Sequence, residues 1–128
     1  MHRILIVEDS ETMRSMLVAT LEELEGPIKS DQAASGFEAL RLLPRERYDL
    51  IVTDINMPDI NGLELVSFVK RNEQYATVPV IIVSTEGSER DRDKGLELGA
   101  DAYLVKPFDP DELYDVATSL LARSRQGA

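Results

Sequence analysis

The hydrophobic positions along the chain form two alternating patterns. Unbroken apolar runs of strand length occupy residues 4–7, 50–52, 80–83 and 102–105. A strand with one face in water would alternate apolar and polar residues, so these continuous runs predict strands that are buried on both faces. A weaker run at 28–33 fits the gap between the first two helical segments and is predicted to be a further strand.

The segments between these runs carry apolar residues three or four positions apart, which is the pattern of a helix with one buried face. Three such stripes are Met13, Leu17, Leu21 and Leu24, then Leu63, Val66 and Val69, and finally Leu113, Val116, Leu120 and Leu121. Strand and helix therefore alternate along the whole chain. This alternation predicts an α/β fold, a doubly wound (βα)5 arrangement in which helices cover both sides of a five-stranded parallel sheet.

Helix start signals agree with this pattern. Ser35, Asn61 and Asp109 can each cap a helix N-terminus, and each is followed three residues later by a glutamate. Pro110 suits the first position of the last helix. The segment 88–98 is also predicted to be helical, but it is rich in charge and poor in apolar anchors, so we expect it to be among the least stable elements.

Length, charge and composition limit the number of domains, the binding partners and the location expected for this chain. With 128 residues, the chain is predicted to be a single domain over 1–128 with no output domain attached. The net charge of −10 would repel nucleic acid and anionic lipid, so neither nucleic-acid binding nor membrane attachment is expected. There is no cysteine, and no apolar run has the length of a signal peptide or membrane span, so a cytoplasmic location is expected.

Polar residues that could carry chemistry follow the apolar runs directly. In chain order they are Glu8 and Asp9, Asp54, Ser84 and Lys106. The carboxyl ends of parallel strands share one edge of the sheet, where ligands bind in this class of fold, so we expect these side chains to converge. Clustered carboxylates repel one another unless a cation joins them, and their oxygen ligands favour Mg²⁺.

Helix capping is the alternative explanation for single members of this set. An acid or hydroxyl after a strand often caps the next helix, which leaves Asp9 and Ser84 open to either role. Asp54 does not fit that role, because the next predicted cap, Asn61, lies well beyond it. His2 is the sole histidine and is expected to be exposed near the N-terminus, so a catalytic triad cannot be assembled.

These residues and their spacing resemble the receiver domains of bacterial response regulators, the CheY-like family. The resemblance rests on Glu8-Asp9, the segment from Asp54 through Ile-Asn-Met-Pro to Gly62, Ser84, and Lys106-Pro-Phe. It covers residues 3 to about 122, nearly the whole chain. It implies a flavodoxin-like sheet with strand order 2-1-3-4-5, in which the order reverses between the first and third strands.

The resemblance further implies a phosphoacceptor site. Asp54 would accept a phosphoryl group from a sensor histidine kinase, a phosphotransfer protein or a small phosphodonor. Asp9 would hold Mg²⁺ directly and Glu8 largely through water, with the Asp54 carboxylate and the Asn56 backbone carbonyl as further ligands. Lys106 would neutralise charge on the phosphoryl oxygens, and the peptide bond that follows it would be cis. On this interpretation the chain is a signalling phosphoprotein that assists its own Mg²⁺-dependent phosphorylation and dephosphorylation, not an enzyme.

By the same resemblance, Ser84 and Tyr103 would form a switch pair. The Ser84 hydroxyl would bond the new phosphoryl oxygen, and the Tyr103 ring would turn inward. The alternative is that Tyr103 is an ordinary half-buried strand aromatic. One face of the domain would then bind a downstream protein. It would consist of the helix at 88–98, the C-terminal helix, Tyr103, Lys106 and Phe108.

The same resemblance implies that two side chains border the path of water to the phosphorus atom. Asn56 lies two positions after Asp54, and Glu86 lies two positions after Ser84. Since neither side chain is bulky or cationic, a fairly short-lived phosphorylated form is expected. The alternative for Glu86 is a solvated acid in a loop.

Other functions are compatible with parts of this pattern. A flavodoxin-like flavin carrier shares the architecture, but two acids after the first strand would repel the flavin phosphate. A phosphatase of the haloacid dehalogenase type also forms an aspartyl phosphate, but its nucleophile follows the first strand in an Asp-x-Asp pattern that this sequence lacks. The main alternative is a receiver-shaped binding module that works without phosphorylation. Chemotaxis or motility control is the favoured pathway, with phosphate shuttling and scaffolding left open.

Overall fold

The computed structural model describes residues 2–85 and 89–126, with side chains in the last helix described as far as Arg123. The strands are β1 (His2–Val7), β2 (Ile28–Ala33), β3 (Leu50–Thr53), β4 (Val80–Ser84) and β5 (Ala102–Val105). The helices are α1 (Glu11–Glu22), α2 (Gly36–Leu42), α3 (Gly62–Arg71), α4 (Glu89–Glu97) and α5 (Pro110–Gln126), and Leu43–Arg45 forms a short 3-10 helix. No helix in these ranges is both long and apolar enough to cross a membrane.

The described strands form one parallel sheet in the order β2-β1-β3-β4-β5. The predicted fold class and the strand order implied by the resemblance are both confirmed. β1 is central, between β2 and β3, so the direction in which the chain winds reverses at this strand. The reversal leaves the carboxyl ends of β1 and β3 side by side, where this class of fold forms its ligand crevice.

The register of the sheet decides which polar residues become neighbours. Val7, the last residue of β1, pairs with Thr53, the last residue of β3. The Asp54 amide donates to the Val7 carbonyl at 3.0 Å, which extends this pairing by one residue. On the other side of β3, Ser84 at the end of β4 pairs with Val105 at the end of β5. The residues that follow these strands therefore leave the sheet at one common edge.

Two apolar layers enclose the sheet. α1 and α5 pack on one face, and α2 and α3 pack on the opposite face. Successive residues of β1 alternate between the layers: Ile4 and Ile6 belong to the first, and Leu5 and Val7 belong to the second. Because both faces are covered, β1 has no solvated side, and this explains its unbroken apolar sequence.

β2 has the weakest sequence signal because it is an edge strand. Among the described strands it pairs with β1 alone, and its residues 29–32 are all polar or charged. Asp31 accepts hydrogen bonds from Arg3 Nε at 2.9 Å and from the Tyr48 hydroxyl at 2.7 Å. Polar side chains thus hold this half-solvated strand in place together with the backbone pairing.

The predicted helix caps are present. Ser35, Asn61 and Asp109 each accept a main-chain N–H two or three residues further on, at 3.2, 2.7 and 2.9 Å. α1 is capped by Ser10, whose hydroxyl accepts the Met13 amide at 3.3 Å. Asp9 is therefore not the cap of α1, and the capping alternative for it is wrong.

The prediction that His2 is exposed is also wrong. His2 is the first residue of β1 and is buried. Its amide donates to the Pro27 carbonyl at 3.0 Å, and its Nδ1 lies 3.9 Å from an Asp49 carboxylate oxygen. Because β1 runs between two other strands, even its first residue is covered.

Candidate functional site

Three carboxylates meet at the carboxyl edge of the sheet. Glu8 and Asp9 follow β1, Asp54 follows β3, and one oxygen from each lies within 4.8 Å of the others. Glu8 and Asp54 are buried, whereas Asp9 is exposed. The strand order is the cause, because β1 and β3 are neighbours and hold the residues after them side by side. The structure therefore brings the three predicted acids together.

Lys106 reaches the same cluster from the end of β5. Its Nζ donates to Glu8 Oε1 at 2.5 Å and to Asp54 Oδ2 at 3.4 Å. Its amide donates to the Ser84 carbonyl at 2.8 Å, which extends the pairing of β4 with β5. The peptide bond between Lys106 and Pro107 is cis, as the resemblance implies. The ammonium group is thus directed at the acids and not at solvent.

The charges in this cluster are not balanced by the protein alone. Burial raises the pKa of the Glu8 carboxyl, and the nearby Asp54 charge raises it further, while the Lys106 ammonium and the Ser10 amide oppose the rise. Three carboxylates against one ammonium leave a formal charge of minus two. Mg²⁺ has the matching charge and prefers oxygen ligands, so the donor set fits this ion.

The backbone fixes Asp54 in place. Its Oδ1 accepts the Ile55 amide at 2.7 Å, and the Thr53 hydroxyl donates to its carbonyl at 2.9 Å. Gly62 packs directly on the same carbonyl, because a Cβ on Gly62 would lie 1.9 Å from that oxygen. The Gly62 amide also donates to the Ile55 carbonyl at 2.8 Å. A side chain at position 62 would therefore displace the loop that carries Asp54.

Ser84 and Tyr103 lie on adjacent strands beside the cluster. Ser84 is fully buried and is the last residue of β4, so it belongs to the sheet and is not the cap of α4. Tyr103 pairs with Ile82 and is 8% exposed. Its ring Cδ2 would lie 3.4 Å from a Cβ on Gly95 of α4. Tyr103 is thus packed beneath α4, more deeply than an ordinary half-buried aromatic.

Of the two side chains expected to border the water path, Asn56 and Glu86, the structure describes Asn56. Asn56 is exposed in the loop between β3 and α3. Glu86 lies outside the described residues, so its role stays a prediction. The helix predicted at 88–98 is described from Glu89 and ends at Glu97.

The sequence does not single out Arg14 and Asp59, which both hold loops at this edge. Arg14 on α1 donates through Nη1 to the Glu8 carbonyl at 2.8 Å and through Nε to Gln32 Oε1 at 3.1 Å. Asp59, in the loop after β3, accepts the first two amides of α2 at 2.9 and 2.8 Å. The sequence does contain a signal that could have identified Arg14, because it is a cation in the first turn of the helix that follows Glu8 and Asp9. No local signal exists for the link between Asp59 and α2, because Gly36 and Phe37 are distant from it in sequence.

The face expected to bind a downstream protein has two exposed large apolar side chains among its described residues. Leu96 of α4 is 39% exposed, and Val105 of β5 is 41% exposed. Tyr103 is buried, the Lys106 side chain is 10% exposed, and Phe108 packs with the layer of α1 and α5. In this conformation the large apolar side chains that the face exposes are therefore Leu96 and Val105.

Comparison with known proteins adds the family to this geometry. Residues 4–118 match the model described as the response regulator receiver domain. A chemotaxis protein CheY homolog of Campylobacter jejuni is 39% identical over 128 residues, which is 98% of each chain. The structure of the chemotaxis response regulator CheY4 of Vibrio cholerae is 35% identical with a TM-score of 0.84, and the match covers 94% of this chain and 98% of that one.

Some relatives are longer than this chain. Response regulator Rre1 of Synechocystis is 35% identical over 122 residues, which is 95% of this chain and 52% of that protein. The chain spans about half the length, or less, of several curated relatives that it matches. The family model nevertheless covers most of this chain. The chain belongs to the response regulator receiver domains, a family of signalling domains.

Proposed function

We propose that this chain accepts a phosphoryl group on Asp54 from a sensor histidine kinase or a phosphotransfer protein, and that phosphorylation changes its affinity for a downstream protein. The observation that carries the proposal is the convergence of three carboxylates and the Lys106 ammonium at one edge of the sheet. This arrangement supplies an anionic nucleophile, a place for a divalent cation and a fixed positive charge. Membership of the receiver family supports it, because receiver domains interact with such kinases.

The acids have the charge and the ligand type for magnesium. Asp9 and Asp54 would hold the ion through their side chains, Asn56 through its backbone carbonyl, and Glu8 mainly through water. When bound, Mg²⁺ neutralises negative charge on the oxygens of the transferring phosphoryl group. Asp9 is the exposed member of the cluster, so the cluster can be reached from solvent without opening the fold.

Asp54 would be the nucleophile. A carboxylate oxygen forms a bond to phosphorus while the bond from phosphorus to the donor nitrogen breaks, and the electron pair of that bond stays on the nitrogen. A carboxylate has no proton to lose, so no separate base is needed. Oδ1 is held by the Ile55 amide at 2.7 Å, whereas Oδ2 has a longer contact of 3.4 Å with Lys106. Oδ2 is therefore the more available oxygen.

Lys106 would change partners during the transfer. Its closest partner in this structure is Glu8 Oε1. The oxygens of an arriving phosphoryl group would compete for the ammonium, which can offer three donors in varied directions. Positioned charge of this kind is the main contribution of a protein to phosphoryl transfer, because the transition state carries its charge on the phosphoryl oxygens.

Ser84 and Tyr103 would convert phosphorylation into a change of partner affinity. The Ser84 hydroxyl would bond a phosphoryl oxygen, and Tyr103 beneath Gly95 would favour one arrangement of α4. Phosphorylation moves such an equilibrium only through contacts that differ between the two arrangements. Leu96 and Val105 would then form the apolar part of the target-binding face.

Chemotaxis or motility control is the pathway that we favour. It is supported by the similarity to the CheY homolog, which extends over nearly the whole of both chains. Relatives described as transcriptional regulators match over about half their length or less, so other outputs are compatible with the same receiver. A binding module that works without phosphorylation is the alternative, and the presence of every acid and of Lys106 argues against it.

Phosphorylation of the purified protein tests this proposal. The protein is incubated with Mg²⁺ and acetyl phosphate, and the modified residue is located by mass spectrometry. We expect a single phosphoryl group on Asp54, none in Asp54→Asn, and strongly reduced labelling together with weaker Mg²⁺ binding in Asp9→Asn. Asp49→Asn is the matched control, because Asp49 lies at the opposite end of the sheet, and it should behave like the parent. Unchanged labelling of Asp54→Asn would refute the proposal.

The switch is tested with Ser84→Ala. Beryllofluoride, which mimics a bound phosphoryl group, should shift the NMR signals of Tyr103 and α4 in the parent. The same addition to Ser84→Ala should perturb the Asp54 region but leave Tyr103 and α4 unshifted. Thr85→Ala removes the neighbouring exposed hydroxyl and should respond like the parent. A full response of α4 in Ser84→Ala would exclude Ser84 from the switch.

The lifetime of the phosphorylated form is tested with Asn56 and Glu86. We propose a short lifetime, because the exposed Asn56 leaves room for an attacking water. Asn56→Arg should slow the release of phosphate while still permitting phosphorylation, because the backbone carbonyl is retained. Phosphate release from Asn56→Arg and Glu86→Ala is compared with release from the parent. Equal decay in all three would show that neither side chain controls the rate.

A further inference from the structure

Asp59 joins the loop between β3 and α3 to the start of α2. Its Oδ1 accepts the Gly36 amide at 2.9 Å, and its Oδ2 accepts the Phe37 amide at 2.8 Å. Oδ1 also accepts the Ile60 amide at 2.7 Å. One exposed carboxylate thus binds amides from two segments that are far apart in sequence.

Close packing accompanies these hydrogen bonds. A Cβ on Gly36 would lie 2.7 Å from the Ile60 Cβ and 3.1 Å from the Ile60 carbonyl oxygen. The main chain of α2 is therefore in direct contact with the loop, so a displacement of one displaces the other. α2 has its own cap in Ser35, which accepts the Glu38 amide. Asp59 is therefore an additional restraint that comes from the loop.

The restrained loop is the one that leaves Asp54. Its ends are held together, because Gly62 packs on the Asp54 carbonyl and the Gly62 amide donates to the Ile55 carbonyl at 2.8 Å. Asp59 adds an attachment between these ends. Asn56 lies in this loop and is exposed to solvent. The position of its backbone carbonyl therefore depends on how well the loop is held.

We propose that Asp59 is a positioning residue for magnesium binding, because tying the loop to α2 keeps the Asn56 carbonyl in place for the ion. The inference rests on the proposed function, in which this carbonyl is a ligand. A carbonyl that is held in place before the ion binds gives a higher affinity than one in a loosely held loop. The reason is that ordering a loose loop on binding would cost free energy. Outer residues that hold ligands in place change metal affinity by about tenfold or more when they are removed.

The coupling must also act in the reverse direction. If a fixed loop favours the ion, the bound ion favours the fixed loop by the same factor. The amides of Gly36 and Phe37 should then exchange hydrogen more slowly with Mg²⁺ than without it. The Gln74 amide, which donates to Asn72 Oδ1 at 3.0 Å beyond the far end of α3, is an internal reference whose exchange should not change.

The experiment uses the full chain and Mg²⁺ alone, with calorimetry for the dissociation constant and NMR for amide exchange. Asp59→Ala should weaken Mg²⁺ binding about tenfold and abolish the effect of Mg²⁺ on the two α2 amides. Asp59→Asn keeps one acceptor oxygen and should fall between Asp59→Ala and the parent. Asp49→Ala is the matched control, because Asp49 Oδ2 accepts the Arg3 amide at 2.8 Å at the opposite end of the sheet. It should lower stability without changing Mg²⁺ affinity.

The possible outcomes separate this inference from the proposed function. Parent-like Mg²⁺ affinity in Asp59→Ala would overturn the positioning role and leave the phosphoacceptor role of Asp54 intact. Equal weakening in Asp49→Ala would also overturn it, because general destabilisation would then be the cause. A parent chain that neither binds Mg²⁺ nor accepts a phosphoryl group would end both. If Asp59→Ala does not fold, Asp59→Asn against Asp49→Asn makes the same comparison.

Discussion

α3 and α4 lie on the same face of the sheet and are held there in opposite ways. α3 buries the large side chains Leu65, Val66 and Val69 in the core. Of the nine described residues of α4, seven are charged and Gly95 alone is buried. α3 is therefore anchored by the burial of large apolar side chains, whereas the buried residue of α4 is a glycine with no side chain.

This difference suits the two helices to different roles. α3 begins at Gly62, which packs on the backbone of Asp54, so its deep burial keeps the proposed nucleophile in position. α4 covers Tyr103 and carries the exposed Leu96, so weak anchoring lets it change arrangement at low cost in free energy. One face of the sheet thus combines a deeply buried helix with one that buries little of its surface.

The largest effect is expected from the glycine that begins α3. Gly62→Ala would place a carbon 1.9 Å from the Asp54 carbonyl oxygen, a contact that only backbone movement can relieve. We expect the free energy of unfolding, measured by urea denaturation, to fall by at least about 3 kcal/mol. Gly26→Ala is the control: its φ of +86° is strained for alanine, but no described atom lies within 4 Å of the added Cβ. Equal losses in the two variants would show that close packing at Gly62 does not hold the loop.

The next largest effect separates the anchoring of the two helices. Leu65 is 1% exposed on α3, and Leu65→Ala should lower the free energy of unfolding by about 2 to 5 kcal/mol. Leu96 is exposed on α4, and Leu96→Ala should change it by less than about 0.5 kcal/mol. Both values come from the same denaturation series. Similar losses would mean that α4 is anchored as firmly as α3.

A smaller effect on stability, with a clear structural change, is expected at Gly95. A Cβ there would lie 2.8 Å from Ile82 Cδ1, so α4 must move outward or Ile82 must change its side-chain conformation. The higher helix propensity of alanine, about 1 kcal/mol, offsets much of that cost. Gly95→Ala should therefore change stability by less than about 1 kcal/mol while altering the NMR signals of Tyr103. An unshifted Tyr103 would contradict the role of Gly95 in setting the height of α4.

The smallest effect is the pH dependence of stability that Asp59 causes in the loop before α3. Partial desolvation alone would raise the pKa of the Asp59 carboxyl, but hydrogen bonds from three main-chain amides and the Ser35 hydroxyl outweigh it and lower the pKa to about 2. A carboxyl with a lowered folded pKa stabilises the fold above its unfolded pKa, and this contribution is lost as pH falls through the folded value. The stability difference between the parent and Asp59→Asn should therefore shrink between about pH 4 and pH 2. A difference that stays constant over that range would show that the charge does not hold the loop.

The fold was predictable because its central strands are buried on both faces and its helices carry regular apolar stripes. α3 shows this most clearly, since Val66 and Val69 of its stripe both lie in the core. α4 could be predicted as a helix, but its packing could not. The buried residue of α4 is Gly95, which lies over Ile82 and Tyr103, and a hydrophobic pattern gives no weight to glycine.

The acids of the candidate site were predictable for a topological reason. Parallel strands deliver the residues after them to one edge, so Asp9 and Asp54 had to approach each other once β1 and β3 were neighbours. The link from Asp59 to α2 could not be found in this way, because it is made to main-chain amides and not to residues that follow a strand. His2 was misplaced because burial at a chain terminus depends on the strands on either side of it.

The polar edge strand β2 also affects how one molecule can associate with another. β2 meets solvent with polar or charged residues throughout 29–32, and Asp31 there is paired with Arg3. A second chain that added a strand along this edge would have to strip water from these groups without an apolar surface in return. Charge on an edge strand opposes such growth of a sheet from one molecule to the next. The residues that make β2 hard to find in the sequence therefore also oppose strand-to-strand pairing between molecules along this edge.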